Sequence, residues 1–288
     1  MDNNWIISNS YNKAIEEGFN QYLEEKAVAE NSEIKIDEEA LIADIEAKWL
    51  ATVLPELEGI APVEFINSLS SLDELIEFFL CMASISDVGV PDILIEKFKS
   101  YGAKAASDRL FAYVESSLSA VGKDRDDIYP AVSQAVYAIG CLQEEGYKQK
   151  LITLLIKTSQ DEMISEAVCA AIVAYGVNIL KDVINAFSTG DDQSAKEHFL
   201  ACVAEICSEN KYKSDEVFYF MKSAFNTISN LNLIVEILGD YGDGRAIPFL
   251  RGYVLKNIDK IDVATFNHMR AIIKKLGGDI EDLVYNKK

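Results

Sequence analysis

The chain has 288 residues, 49% of them hydrophobic, and 27 basic against 47 acidic side chains leave a net charge of −20. A chain this apolar buries a substantial core, which excludes global disorder, and 5 Pro with 15 Gly are too few for a many-turned all-β fold. The charge repels nucleic-acid phosphates and anionic lipid surfaces and attracts basic partners; its plainest use is to keep the chain soluble and monomeric.

The charge is uneven. Residues 1–60 hold 14 acidic and 4 basic residues, residues 61–240 hold 27 and 14, and residues 241–288 hold 6 and 9. The N-terminus has no basic segment followed by an apolar core, so no secretory signal is expected. The longest uncharged apolar stretch, Ala167 to Leu180, is broken by Gly176 and Asn178. A membrane span needs about 20 apolar residues, so none is expected.

Helical spacing places Tyr11, Ile15, Phe19, Tyr22 and Leu23 on one face of a first helix. Lys26 to Ile36 is polar and loop-like. Asp37 is a good N-cap for a second helix carrying Leu41, Ile42, Ile45, Trp49 and Val53, and Pro55 stops it. Gly59 and Pro62 form a turn into a short helix. Ser71-Leu-Asp-Glu74 fits a capping box, opening a helix through Leu75, Phe78, Phe79 and Met82. From there helical patterns of 10–18 residues alternate with short turns, and no two-residue alternation marks a strand.

Superimposing the turns shows a repeat. Gly89, Gly146, Asn178, Tyr212 and Gly244 take equivalent places, 57, 32, 34 and 32 residues apart, with a longer helix pair expected around Ala103–Leu142. Gly or Asn there suits a helix that stops through a left-handed residue. Gly277-Gly278-Asp279 reads as a helix stop and the cap of a short last helix.

Leu238-Gly-Asp-Tyr-Gly-Asp-Gly-Arg-Ala-Ile-Pro-Phe-Leu250 resembles the HEAT-like repeat first associated with phycobilisome lyases, through Gly239, Gly242, Asp243, Arg245, Ala246 and Leu250. The other turns keep the hydrophobic skeleton without the Asp-x-Arg pair. The resemblance implies an all-α fold, a right-handed α/α superhelix of antiparallel helix pairs (a HEAT/armadillo-like solenoid). Residues 1–70 would form an N-terminal helical cap packed on the repeats at 71–288. Lyase activity does not follow, because the repeat is far more widespread than that chemistry.

The chemistry-bearing residues do not converge. Cys81, Cys141, Cys169, Cys202 and Cys207 are odd in number, lack a Cys-x-x-Cys pair and sit in apolar helical stretches, so they read as small buried hydrophobes in a reducing compartment. A reactive thiol needs an electropositive neighbourhood, and the sequence shows none. His198 and His268 are 70 residues apart, and no His-Glu dipeptide occurs of the kind that ligates iron in HEAT-like hydroxylases. Asp37-Glu38-Glu39, Asp124/Asp126/Asp127 and Asp191-Asp192 read as helix caps rather than cation or acid–base sites. The basic residues from Arg245 to Lys288 fit helix C-termini better than a nucleic-acid face. Tyr101, Tyr137, Tyr147, Tyr175, Tyr212 and Tyr241 lie near the turns, either capping hairpin cores with wet hydroxyls or forming a partner ridge.

The expectation is a cytoplasmic, non-enzymatic interaction scaffold with an acidic surface. It has no catalytic, cofactor or metal residues and no cofactor. Its partner would be a protein or peptide, possibly basic, with no role for nucleic acid or membrane. The alternatives are a lyase or hydrolase using concave-face carboxylates, and an acidic mimic of nucleic acid that inhibits a basic partner.

Overall fold

Capping side chains start many of the helices. In the computed structural model, which describes residues 3–28, 37–86, 88–120 and 125–285, the carboxylate of Asp37 accepts from the Ala40 N–H at 3.1 Å. Ser71 Oγ accepts from Glu74 N–H at 3.2 Å, while the Glu74 carboxylate reaches back to Ser70 N–H at 2.7 Å. Asp192 does the same for Ala195 at 2.7 Å, so two of the three acidic clusters serve as caps. Asp124 lies outside the described residues, as do Lys26–Ile36 in large part.

The chain is all-α. Among the described residues there is no strand, only an isolated antiparallel bridge between Leu54 and Ile60. It divides into two compact units, Met1–Tyr147 and Lys148–Lys288.

The first unit holds α1 (Asn3–Val28), α2 (Glu38–Ala51), α3 (Pro62–Ser68), α4 (Leu72–Ile85), α5 (Asp92–Tyr101), α6 (Ala103–Ser119) and α7 (Arg125–Leu142). Helix α1 packs on α2 and α4, and α4 packs on α5, α6 and α7. The apolar face of α1 is Ile7, Tyr11 and Ile15, all buried, whereas Leu23 is exposed. Phe78, Phe79 and Phe98 are fully buried, and the edge of one ring meets the face of another between Phe79 and Phe98 at 5.3 Å. The expected long pair is α6 with α7, of 17 and 18 residues.

The second unit holds α8 (Lys148–Thr158), α9 (Glu162–Val173), α10 (Leu180–Thr189), α11 (Gln193–Glu209), α12 (Asp215–Ala224), α13 (Leu231–Tyr241), α14 (Ile247–Asn257) and α15 (Val263–Lys275). Helix α9 packs on α11, α11 on α13 and α13 on α15, a layer of second helices. The first helices α8, α10, α12 and α14 pack on α9, α11, α13 and α15 respectively, which is helical-solenoid packing within this unit.

Left-handed residues mark the repeat: Gly89, at φ 92°, and Gly277 where the sequence suggests them, and the others one to three positions before the suggested turns. Gln143, Gly176, Lys211, Gly242 and Gly277 have φ of 52°, 58°, 48°, 68° and 89°. At Lys211 the chain reverses through Tyr212 N–H to Cys207 carbonyl at 2.8 Å and Lys211 N–H to Ser208 carbonyl at 3.2 Å. Hydrogen bonds, not residue type, thus fix the stop, and two of the six positions carry a side chain.

A polar rung joins successive turns. Lys148 Nζ donates to the Asn178 carbonyl at 3.1 Å and sits 5.8 Å from the Tyr175 ring. Lys213 Nζ repeats this on the Gly242 carbonyl at 3.4 Å and the Tyr241 ring at 5.6 Å. Tyr241 hydroxyl donates to the Ser214 carbonyl at 3.1 Å and accepts from Ser214 N–H at 3.0 Å. Tyr101 hydroxyl donates to the Leu69 carbonyl at 2.6 Å. These hydroxyls bind neighbouring backbone rather than water, and with Tyr147, Tyr175 and Tyr241 buried the tyrosines form no continuous ridge.

The short last helix does not form. After Gly277, Arg251 holds the Asp282 carboxylate at 2.6 Å and Tyr285 hydroxyl donates to the Ile261 carbonyl at 3.1 Å.

Candidate functional site

A cleft lies on the first unit, where α1 crosses α2. Gly18 permits the crossing: a Cβ there would lie 2.5 Å from both Cδ1 and Cγ1 of Ile45. Along the seam, the Tyr11 and Trp49 rings meet edge to face at 4.9 Å. Trp49 Nε1–H donates to Ser10 Oγ at 2.9 Å, and Tyr11 hydroxyl donates to Glu46 Oε1 at 2.6 Å. Burial pushes the Glu46 carboxyl above the usual carboxylate range, and the Asp92 charge adds to this, while the Tyr11 hydrogen bond opposes it.

Beside this seam runs the cleft, of about 840 Å³ and lined by both helices and by Leu54 and Glu56. Trp5, Tyr22 and Trp49 give it aromatic surface, and Trp5 is 42% exposed. Glu16, Glu17, Glu25, Asp44 and Glu56 give it five carboxylates against two ammonium groups, Lys13 and Lys48. Both lysines lean on carboxylates of their own helices, Lys13 on Glu17 at 3.7 Å and Lys48 on Asp44 at 2.6 Å. Asn12 also lines the cleft; its Nδ2 donates to the Ile85 carbonyl at 2.7 Å, and its Oδ1 is buried with no hydrogen-bond partner. Surplus carboxylates beside the exposed indole of Trp5 match a cationic, partly apolar ligand.

No family model, curated protein or solved structure matches the chain. The likeness to HEAT-like repeats therefore rests on residues 238–250. There Asp243 caps the turn through Arg245 N–H at 2.9 Å, and Arg245 bridges Asp243 and Asp215, each at 2.7 Å. The Asp-x-Arg pair thus ties one turn to the preceding first helix.

The basic C-terminal residues follow the same pattern. Arg251 pairs with Asp282, and Lys275 pairs with Asp240 at 2.5 Å, so these cations are engaged locally. His268 Nε2 lies 2.6 Å from Glu236 Oε2 on an exposed face. Among the described residues no group of three His, Cys, Asp or Glu side chains is placed to hold a metal, and no single helix is long and apolar enough to cross a membrane.

One neighbourhood lies beyond the sequence reading: α9 against α11 brings Cys169 beside His198 and Cys202. The pairing is invisible in sequence because residues 169 and 198 meet only when consecutive hairpins stack. The cleft was missed for a different reason. Its charge and its aromatics stood in residues 1–60, but helical spacing alone does not show where two helices part.

Proposed function

We propose that this chain is a non-enzymatic interaction scaffold of stacked helical pairs, and that the α1/α2 cleft receives a basic, partly apolar segment of a protein partner. The carrying observation is where the charge sits. The first unit holds 28 acidic and 10 basic residues, net −18, and the second holds 19 and 17, net −2. Charge that served solubility alone has no reason to gather in one unit, beside an exposed tryptophan. Lysine or arginine stems would cover the Trp5 indole while their heads meet Glu16, Glu17 and Glu56. The odd number of cysteines and the lack of a Cys-x-x-Cys pair support placing the protein in a reducing, cytoplasmic compartment.

The test uses the full chain and a fluorescein-labelled peptide of alternating Lys and Leu, read by anisotropy at two salt concentrations. Glu16→Lys with Glu56→Lys should weaken binding about tenfold, while Glu77→Lys with Glu115→Lys, elsewhere on the same unit, should weaken it far less. Equal weakening by both pairs would reduce the effect to bulk charge and remove the cleft from the proposal.

A further inference from the structure

The second unit carries a constellation that the binding cleft does not use. Cys169 on α9 is partly exposed, and Cys202 on α11 is fully buried. The Cys202 thiol donates to the Cys169 carbonyl oxygen at 4.0 Å, which brings the two thiols close enough to bear on each other's ionisation. His198, one helical turn before Cys202 on the same helix, also acts on the Cys169 thiol. His198 Nε2 also lies 3.2 Å from the Ser159 carbonyl oxygen, which fixes a hydrogen on that nitrogen and orients the ring. Glu197 and Glu205 of α11 are the remaining charges that bear on the three groups.

The two sulfurs are therefore unlike. The Cys202 thiol, opposed by burial and helped by His198, holds the Cys169 thiol below the usual thiol range. Its partner is driven the other way: the nearby Cys169 thiol and burial hold the Cys202 thiol well above that range. An outer thiol whose anion a neighbouring imidazole favours, backed by an inner thiol kept protonated by burial, is the division of labour that two-step thiol oxidation needs.

We propose that Cys169 and Cys202 are a hydroperoxide-oxidised thiol pair, with Cys169 attacking, Cys202 resolving and His198 serving as proton donor. The Cys169 thiolate attacks the terminal oxygen of a hydroperoxide. The O–O bond breaks, Cys169 becomes a sulfenic acid, and the departing alkoxide or hydroxide takes a proton from His198. Cys202 then attacks the sulfenic sulfur; the S–S bond forms, the S–O bond breaks, and hydroxide leaves with the Cys202 proton as water. Two thiols are oxidised, the peroxide is reduced to an alcohol and water, or to two waters, and α9 becomes covalently stapled to α11.

The other cysteines are internal controls, since Cys81 and Cys141 are as partly exposed as Cys169. The full chain is reduced, treated with one equivalent of hydrogen peroxide and mapped by mass spectrometry without reduction. A Cys169–Cys202 cross-link, about 2 Da below the summed thiol peptides, is the expected product. In Cys202→Ser, Cys169 should instead be captured as a sulfenic acid by dimedone. In His198→Gln, iodoacetamide labelling of Cys169 at neutral pH should slow about tenfold, with labelling of Cys81 unchanged. Oxidation spread over all partly exposed cysteines, or a cross-link that omits Cys202, would overturn the proposal. So would a Cys169 that labels no faster than Cys81 in the native chain.

Discussion

The substitution Gly18→Ala tests whether the α1/α2 crossing is as tight as described. The added methyl would sit 2.5 Å from two atoms of Ile45, where carbon atoms normally rest at about 3.5–4.0 Å. Ile45 is only 6% exposed, so its side chain has no free space to swing into. Overpacking of this kind costs about 1–3 kcal/mol, and replacing a helical glycine by alanine returns about 1 kcal/mol. The net expectation is a destabilisation of about 0–2 kcal/mol, too small to interpret by itself. A double-mutant cycle resolves it. Ile45→Ala alone should cost about 2–5 kcal/mol through the cavity it leaves. Combined with Gly18→Ala it should cost less, because the new methyl occupies vacated space, giving a coupling of at least about 1 kcal/mol. Urea unfolding followed by tryptophan fluorescence is the suitable assay. The chain has 2 tryptophans, Trp5 and Trp49, and both line the cleft, so the signal reports on this seam. Additivity within about 0.5 kcal/mol, or stabilisation by the full helix-propensity gain, would refute the close approach.

Three further outcomes follow from particular contacts. Lys211→Gly should stabilise the chain by about 1 kcal/mol in a thermal or urea melt, because a side chain at φ of 48° is strained where glycine is not. Asp243→Asn keeps the turn cap but loses the charge facing Arg245, which holds the Asp243 carboxyl below its usual range. A depressed carboxyl contributes stability above its unfolded value that fades as pH falls, so the variant should be less stable at neutral pH and match the parent once pH drops well below 4 in paired melts. Glu46 is raised instead, chiefly by burial, so its contribution has the opposite sign and is lost as pH rises through the folded value. Glu46→Gln should therefore be at least as stable as the parent at pH 7, and the advantage should disappear near pH 4.

Local signals in the sequence carried much of the fold. Asp37, Ser71 and Asp192 announce their helices because a cap depends on residues three positions apart, and the 32–35-residue recurrence of the second unit is visible for the same reason. The stopping residues were legible only in part. Gly176 and Gly242 advertise a left-handed backbone, whereas Gln143 and Lys211 adopt it under hydrogen bonds that no residue type reveals. Long-range pairings stayed hidden. Trp5 and Trp49 reach the same cleft from separate helices, and Cys169 meets His198 only across α9 and α11. Nor does the −10 of residues 1–60 by itself say that five carboxylates share one opening.

The Lys213 rung reaches from one turn to the next, and the Lys148 rung does the same two repeats earlier. Each is closed within a single period, with backbone carbonyl as acceptor rather than a unique side chain. Such a joint is indifferent to how many periods lie on either side. It gives the second unit a grammar for changing length: a block running from one left-handed residue to the next can be duplicated or excised in frame, and the lysine before the cut still finds a carbonyl at the following turn. Tandem duplication of residues 177–211 should thus extend the stack rather than unravel it.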